Sequence, residues 1–328
     1  MTKPHSLILA ALLLIPQVAA LAATQSPGEP GATPGKTVTQ AAESRVYKKV
    51  GERELKLFIE KPSAWKAIDR RPTIVFFFGG GWVAGNAEQF RKQSEYLASR
   101  GMVGIRVQYR TIPKDEKGPP TVCVQDAKSA MRWVRTHARE LGIDPQRIAA
   151  GGGSAGGHLA AFTGMVAGVD DPGDDLRISP KADALVLFNP VFNNGPGQWG
   201  HELVGDRYRE FSPAHNITST APPTIIFLGR KDSLISVKTV QEFQAGMKQA
   251  DVRCDTIFYE GQLHGFFNRE PWRTRTLIAA DKFLASLGWL EGETTLTEPA
   301  PAETGQKTQI AVAVDRDGRP AKAPKESQ

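Results

Sequence analysis

The chain has 328 residues, with 41 Lys and Arg against 35 Asp and Glu, for a formal net charge of +6. The basic residues are scattered, as in Arg70-Arg71, Arg91-Lys92, Arg273 and Arg275, and form no dense run that would track a phosphate backbone; nucleic-acid binding is therefore not expected. Two cysteines and six dispersed histidines, with no C-x-x-C or H-x-x-H spacing, give no support for a metal site, and no cofactor is expected.

Residues 1–23 carry Lys3, the apolar run Leu7 to Ile15, and the small-residue sequence Ala20-Leu21-Ala22. The run is too short to cross a bilayer and reads as a secretory signal peptide cleaved near Ala22, with an uncleaved anchor as the alternative. A secreted or periplasmic protein without stable membrane insertion is expected. Residues 24–43 are rich in Gly, Pro, Thr and Ser and read as a flexible linker. Residues 291–328 lack an apolar period and hold several prolines, so a disordered tail is expected. Residues 44–290 remain, long enough for one α/β domain with a full core.

Within that stretch, 45–50 and 54–60 read as an antiparallel pair of strands. Further strands are expected at 73–78, 103–108, 147–150, 184–188, 224–228 and 254–259. Helices are expected near 87–100, 121–141, 154–167, 236–250 and 271–287; the second has Val124, Ala127, Ala130, Met131 and Val134 at helical spacing. Repeated βα units predict an α/β fold with a mostly parallel central sheet and helices on both faces. There is no internal repeat. Cys123 in a helix and Cys254 opening the last strand should lie far apart, as two buried thiols rather than a bridge.

The motif Gly152-Gly153-Ser154-Ala155-Gly156 has the form G-x-S-x-G and stands between a strand and a helix. Such a turn strains the serine, lifts its hydroxyl above the sheet and points a helix N-terminus at it. Alone, the pattern is equally a glycine-rich βα turn. A second glycine run, Phe78-Gly79-Gly80-Gly81-Trp82, follows the strand Thr73 to Phe77. Downstream, Asp232 and then His264 follow strands, so three residues suited to nucleophilic catalysis occupy C-terminal strand ends in the order nucleophile, acid, base.

These pieces, with Gly153 to Ala160, Gly229-Arg230-Lys231-Asp232 and His264-Gly265-Phe266, resemble the hormone-sensitive-lipase-like and acetyl/feruloyl-esterase-like branch of the α/β-hydrolase superfamily. The resemblance spans residues about 45–290. It implies Ser154 as nucleophile, His264 as general base, Asp232 as its orienting acid, and backbone N–H groups of Gly79, Gly80 and Ala155 as an oxyanion hole. Two positions depart from the pattern. Phe78 stands where the family usually has a histidine that holds the glycine loop, and Gly153 where it often has an acid.

The implied activity is hydrolysis of carboxylic esters by an exported serine esterase. A serine peptidase of the same fold and a catalytically silent binding protein are the alternatives. The insert 189–220 is expected to flank the pocket. It is rich in polar residues with a few aromatics, Phe192, Trp199, Tyr208 and Phe211, so short acyl chains and a carbohydrate ester are the expected substrates. His158 reads as a packed helical histidine, Asp126 as a salt-bridge residue, and His201 and His215 as parts of the insert.

Overall fold

The inner strands read as nearly unbroken apolar runs because both of their faces are covered, whereas the opening pair alternates with exposed polar residues. In the computed structural model, which describes residues 42–113 and 115–300, the strands form one eight-stranded sheet. The strands are β1 (Glu43–Val50), β2 (Arg53–Glu60), β3 (Arg71–Phe77), β4 (Val103–Val107), β5 (Ile143–Gly153), β6 (Ala184–Phe188), β7 (Thr224–Gly229) and β8 (Cys254–Tyr259). Their spatial order is β1-β2-β4-β3-β5-β6-β7-β8. β2 is antiparallel to both neighbours, and the rest pair in parallel.

Among the described residues, seven α-helices accompany the sheet: α1 (Arg91–Ser99), α2 (Thr121–Thr136), α3 (Ala155–Met165), the single turns α4 (His201–Val204) and α5 (Tyr208–Phe211), α6 (Val237–Gln249) and α7 (Trp272–Ser286). Side chains alternate between two cores with the period of the pleat. Along β3, Val75 and Phe77 join the core under α2, α3 and α6, whereas Ile74 and Phe76 join the core under α1 and α7. β6 divides likewise, Leu185 and Leu187 against Val186 and Phe188.

The order of β4, β3 and β5 positions the site. From β3 the chain crosses through α1 to β4 on one side, then through α2 to β5 on the other. The winding reverses at β3, and the loops after β3 and β5 part there, leaving a crevice at the C-terminal strand ends.

Several boundaries differ from the sequence-based expectation. α2 stops at Thr136 rather than 141, because His137 leaves helical geometry and stacks its ring back on Trp133, centroids 3.9 Å apart. β5 reaches back to Ile143 through the polar stretch Asp144–Gln146, where Ile143 pairs with Arg71. The tail expected from 291 begins as fixed chain. Leu290 is buried and Leu296 packs on the same core. Arg100 donates to the Gly292 carbonyl, the Tyr96 and Thr294 hydroxyls are 2.7 Å apart, and Arg275 pairs with Glu298. The ten residues 291–300 are therefore tied to α1 and α7 rather than disordered. The remainder of the expected tail, the expected signal peptide 1–23 and the expected linker up to residue 41 lie outside the described residues. Both cysteines are free thiols, Cys123 buried and Cys254 partly so. Among the described residues no helix is long and apolar enough to cross a membrane.

Candidate active site

Ser154 sits between β5 and α3 with φ +54° and ψ −121°, a left-handed conformation that strains any residue with a side chain. The surroundings hold it there. Its N–H donates to the Phe188 carbonyl at 3.0 Å, and its carbonyl accepts from His158 at 3.0 Å and Val191 at 3.2 Å. α3 approaches the end of β3 so closely that a Cβ at position 156 would overlap the carbonyl oxygens of Phe77 and Phe78, so only glycine fits. Gly153 has its own reason. A Cβ there would strike the ring of Phe267, which packs with Phe90 and Phe188 beneath the turn. This phenylalanine occupies the space that the family's acidic residue would need.

The structure brings the three predicted residues together. His264 Nε2 lies 2.9 Å from Ser154 Oγ, and His264 Nδ1 lies 2.8 Å from Asp232 Oδ2. The Asp232 side chain is fully buried, and its other oxygen accepts from the N–H groups of Leu234 and Ile235, both at 2.9 Å. The carboxylate is thereby satisfied and aimed at the imidazole. Because a carboxylate only accepts, the ring proton belongs on Nδ1, which leaves the Nε2 lone pair facing the serine hydroxyl.

The loop after β3 runs through three successive residues of positive φ: Gly80 at +128°, Gly81 at +63° and Trp82 at +64°. A left-handed tryptophan is an outlier, and packing holds it. The buried Trp82 ring lies edge-on to His158 at 5.0 Å and against Trp199 at 5.1 Å. Successive turns of this kind face backbone N–H groups to one side. The N–H groups of Gly80, Gly81 and Ala155 meet no acceptor among the described residues. Gly79 does not belong in this set, contrary to expectation, because its N–H is already donated to Gln89 Oε1 at 2.6 Å.

Gln89 and Asn189 are the polar residues that sequence reasoning missed. Gln89 stands in the 3₁₀ turn Ala87–Phe90, capped by Asn86, whose side chain accepts from Glu88 N–H. Its amide supplies the polar anchor that the histidine expected at 78 would have given. Phe78 anchors the same loop by packing. Its ring stacks on Tyr109 with centroids 4.0 Å apart and fills the space beside Gly85, and the Tyr109 hydroxyl donates to the Phe78 carbonyl at 2.6 Å. Asn189 directly follows β6, with its amide between His264 and Gly265.

The remaining candidates take structural places. His158 Nε2 lies 2.6 Å from the Phe211 carbonyl, and burial pushes the imidazole down to about 4, so it stays neutral near pH 7. Asp126 is fully buried between Lys48 at 2.8 Å and Arg110 at 2.7 Å. His201 bonds the Asn194 carbonyl and His215 the Ser212 hydroxyl, both within the insert. Of the insert's aromatics, Phe192 and Phe211 are core residues, packed on Phe243 and Phe162. Tyr208 packs on His201 and His215. Trp199 is the one beside the glycine loop, against Gly81 and Trp82. No group of three or more His, Cys, Asp or Glu among the described residues is placed to hold a metal.

Comparison with known proteins agrees with this architecture. The BD-FAE family model matches residues 59–186, and the dienelactone hydrolase family model matches 181–295. A probable carboxylic ester hydrolase of Mycobacterium tuberculosis, LipM, is 28% identical over 70% of this chain and 57% of its own length. A probable isoprenylcysteine alpha-carbonyl methylesterase of Arabidopsis thaliana is 26% identical over 70% of this chain and 52% of its own length. The chain thus spans about half the length of the curated relatives it matches. Among solved structures, the apo form of Thermogutta terrifontis esterase 2 superposes with a TM-score of 0.73 at 46% identity, covering 78% of this chain and 98% of that one. The same esterase has been solved phosphoramylated by tabun, and with propionate bound. With that identity over nearly the whole of the esterase, the chain belongs to the α/β-hydrolase superfamily, in its hormone-sensitive-lipase-like family of esterases.

Proposed function

We propose that this chain is a serine hydrolase of carboxylic esters that works through an acyl-enzyme. The observation that carries the reading is the unbroken hydrogen-bonded series from Asp232 through His264 to Ser154, set on a strained turn at the sheet's topological switch point. A serine hydroxyl is a poor nucleophile near neutral pH. As Oγ attacks the ester carbonyl, its proton passes to His264 Nε2, and Asp232 stabilises the resulting imidazolium. The carbonyl π electrons move onto oxygen, and the N–H groups of Gly80, Gly81 and Ala155 are positioned to meet that charge. Collapse breaks the bond to the alcohol oxygen, which leaves with the proton from Nε2. Water then attacks the acyl group, giving its proton to Nε2, and the second collapse returns that proton to Ser154.

The acyl group proposed is short, acetyl to butyryl. Trp199 stands beside the glycine loop, packed on Trp82 within it, and the esterase similar to this chain has been solved with propionate and with butyrate bound. Each further CH₂ adds only ~0.8 kcal/mol where apolar wall exists to receive it. Acetylated carbohydrate is the proposed natural substrate. Export through residues 1–23 would bring the enzyme to such polymers.

The test is turnover of p-nitrophenyl esters from C2 to C12 by the wild type and by Ser154→Ala. Loss of activity by about three or more orders of magnitude in the variant, with unchanged circular dichroism, is expected. Residual turnover near wild type would overturn the nucleophile. A kcat/KM maximum at C8 or beyond would overturn the short-chain assignment.

A further inference from the structure

Asn189 is fully buried and holds φ at +35°, a left-handed conformation that Asn and Gly tolerate better than other residues. It is fixed on both sides: its N–H donates to the Phe227 carbonyl at 2.7 Å, and Pro190 lies against Gly157. The side chain spans two groups of the histidine loop. Oδ1 is 3.1 Å from Gly265 N, and Nδ2 is 3.3 Å from His264 Nε2. The two ends of the amide are not interchangeable. The Gly265 N–H can only donate, so the oxygen must face it, and the NH₂ is left toward the imidazole. An NH₂ can only donate, so it suits an Nε2 without a proton, whose lone pair it shares at 3.3 Å with the nearer Ser154 hydroxyl at 2.9 Å.

Resting on the Ser154–His264–Asp232 reading, we propose that Asn189 is a positioning residue that holds His264 as the neutral, Nδ1-protonated base and disfavours a resting proton on Nε2. Two groups then act on the imidazole in opposite senses. Asp232, the charged side chain paired with it among the described residues, favours the imidazolium. Asn189, from just after β6, disfavours it. Ser154, from the turn after β5, brings only a neutral hydroxyl. The consequence is an Nε2 kept open for the serine proton, which moves on readily to the leaving alcohol once it arrives.

Two variants test this. Asn189→Gly keeps the left-handed backbone without strain and removes the amide. Asn189→Asp keeps the shape and turns a carboxylate oxygen toward Nε2. The readouts are kcat/KM for p-nitrophenyl acetate from about pH 4 to 9 and the rate of covalent inactivation by a neutral phosphonate ester, both of which report ionisation of the free enzyme. Asn189→Asp should raise the midpoint of the acidic limb by about one unit or more, as expected for an added opposite charge within reach. Asn189→Gly should raise it by a few tenths, with kcat about 5- to 20-fold lower and KM within about twofold, since the amide orients the base rather than binding substrate. Variants that lower kcat or Tm while both midpoints stay at the wild-type value would overturn the proposal and leave Asn189 a structural residue. If Asn189→Asp does not fold, the Asn189→Gly midpoint decides alone. A wild type with no acidic limb would overturn the triad reading, and this inference with it.

Discussion

Gln89 offers a perturbation whose effects on folding and on turnover separate in size. Gln89→Met keeps the length of the side chain but removes the acceptor 2.6 Å from Gly79 N–H. The lost bond is partly exposed, so water replaces it in part and the stability cost should be about 1 kcal/mol. For a domain of this size that lowers Tm by about 2–4 °C. Gly79 leads directly into the strained run Gly80, Gly81 and Trp82, so the same loss loosens the N–H groups that would meet the oxyanion. Deleting one such donor costs about 3–4 kcal/mol in other serine enzymes. Loosening rather than deletion should cost less, with kcat falling by about tenfold to a hundredfold. Gln89→Glu retains an oxygen acceptor and should recover most of the activity. The assay pairs steady-state kinetics on p-nitrophenyl acetate with affinity for a trifluoromethyl ketone, which draws on the same N–H groups. A Gln89→Met enzyme with lower Tm but unchanged kcat and unchanged ketone affinity would refute the reasoning.

Restoring the family's acid by Gly153→Glu should destabilise the fold by at least about 1–3 kcal/mol, because the new side chain meets the Phe267 ring; the double variant with Phe267→Ala should recover part of that loss in thermal melts. Phe78→Ala should lower kcat more than its effect on Tm explains, because it removes the stack on Tyr109 that seats the glycine loop; a loss of Tm with unchanged kcat would make Phe78 a core residue only. His158 is neutral when folded, with its protonation pushed down to about 4 by burial, whereas an unfolded histidine protonates near ~6.5. Between those values the unfolded chain binds the proton and the folded chain does not, so stability rises with pH and is lost as pH falls through this window, by up to about 3 kcal/mol. His158→Gln should flatten that part of the Tm–pH curve, and a slope unchanged from wild type would contradict the assignment.

Much of this was legible in the sequence because the signals were local. Apart from the opening Thr73 and Thr224, the runs at 73–78, 184–188 and 224–228 are apolar throughout since both sheet faces are covered, and they appeared as strands within a residue or two. Ser154, Asp232 and His264 follow strands in a fixed order, and parallel topology brings such ends to one edge. What escaped depends on contacts between distant segments. Nothing near Gln89 announces that its amide reaches Gly79, ten residues away, and Gly79 looked like a donor only while that acceptor was unseen. Asn189 had a weak signal, an Asn-Pro pair at the end of a strand, but its partners lie 75 and 76 residues downstream. Residues 291–300 carry no apolar period, and their order comes from Tyr96 on α1, Arg100 just after it and Arg275 on α7.

The most direct test of the central claim is peptide mapping after treatment with a fluorophosphonate, in the wild type and in His264→Ala. The account predicts a single adduct on Ser154 in the wild type, and labelling slowed by at least about a thousandfold when the base is removed. An adduct on another residue, or equal labelling without His264, would contradict it.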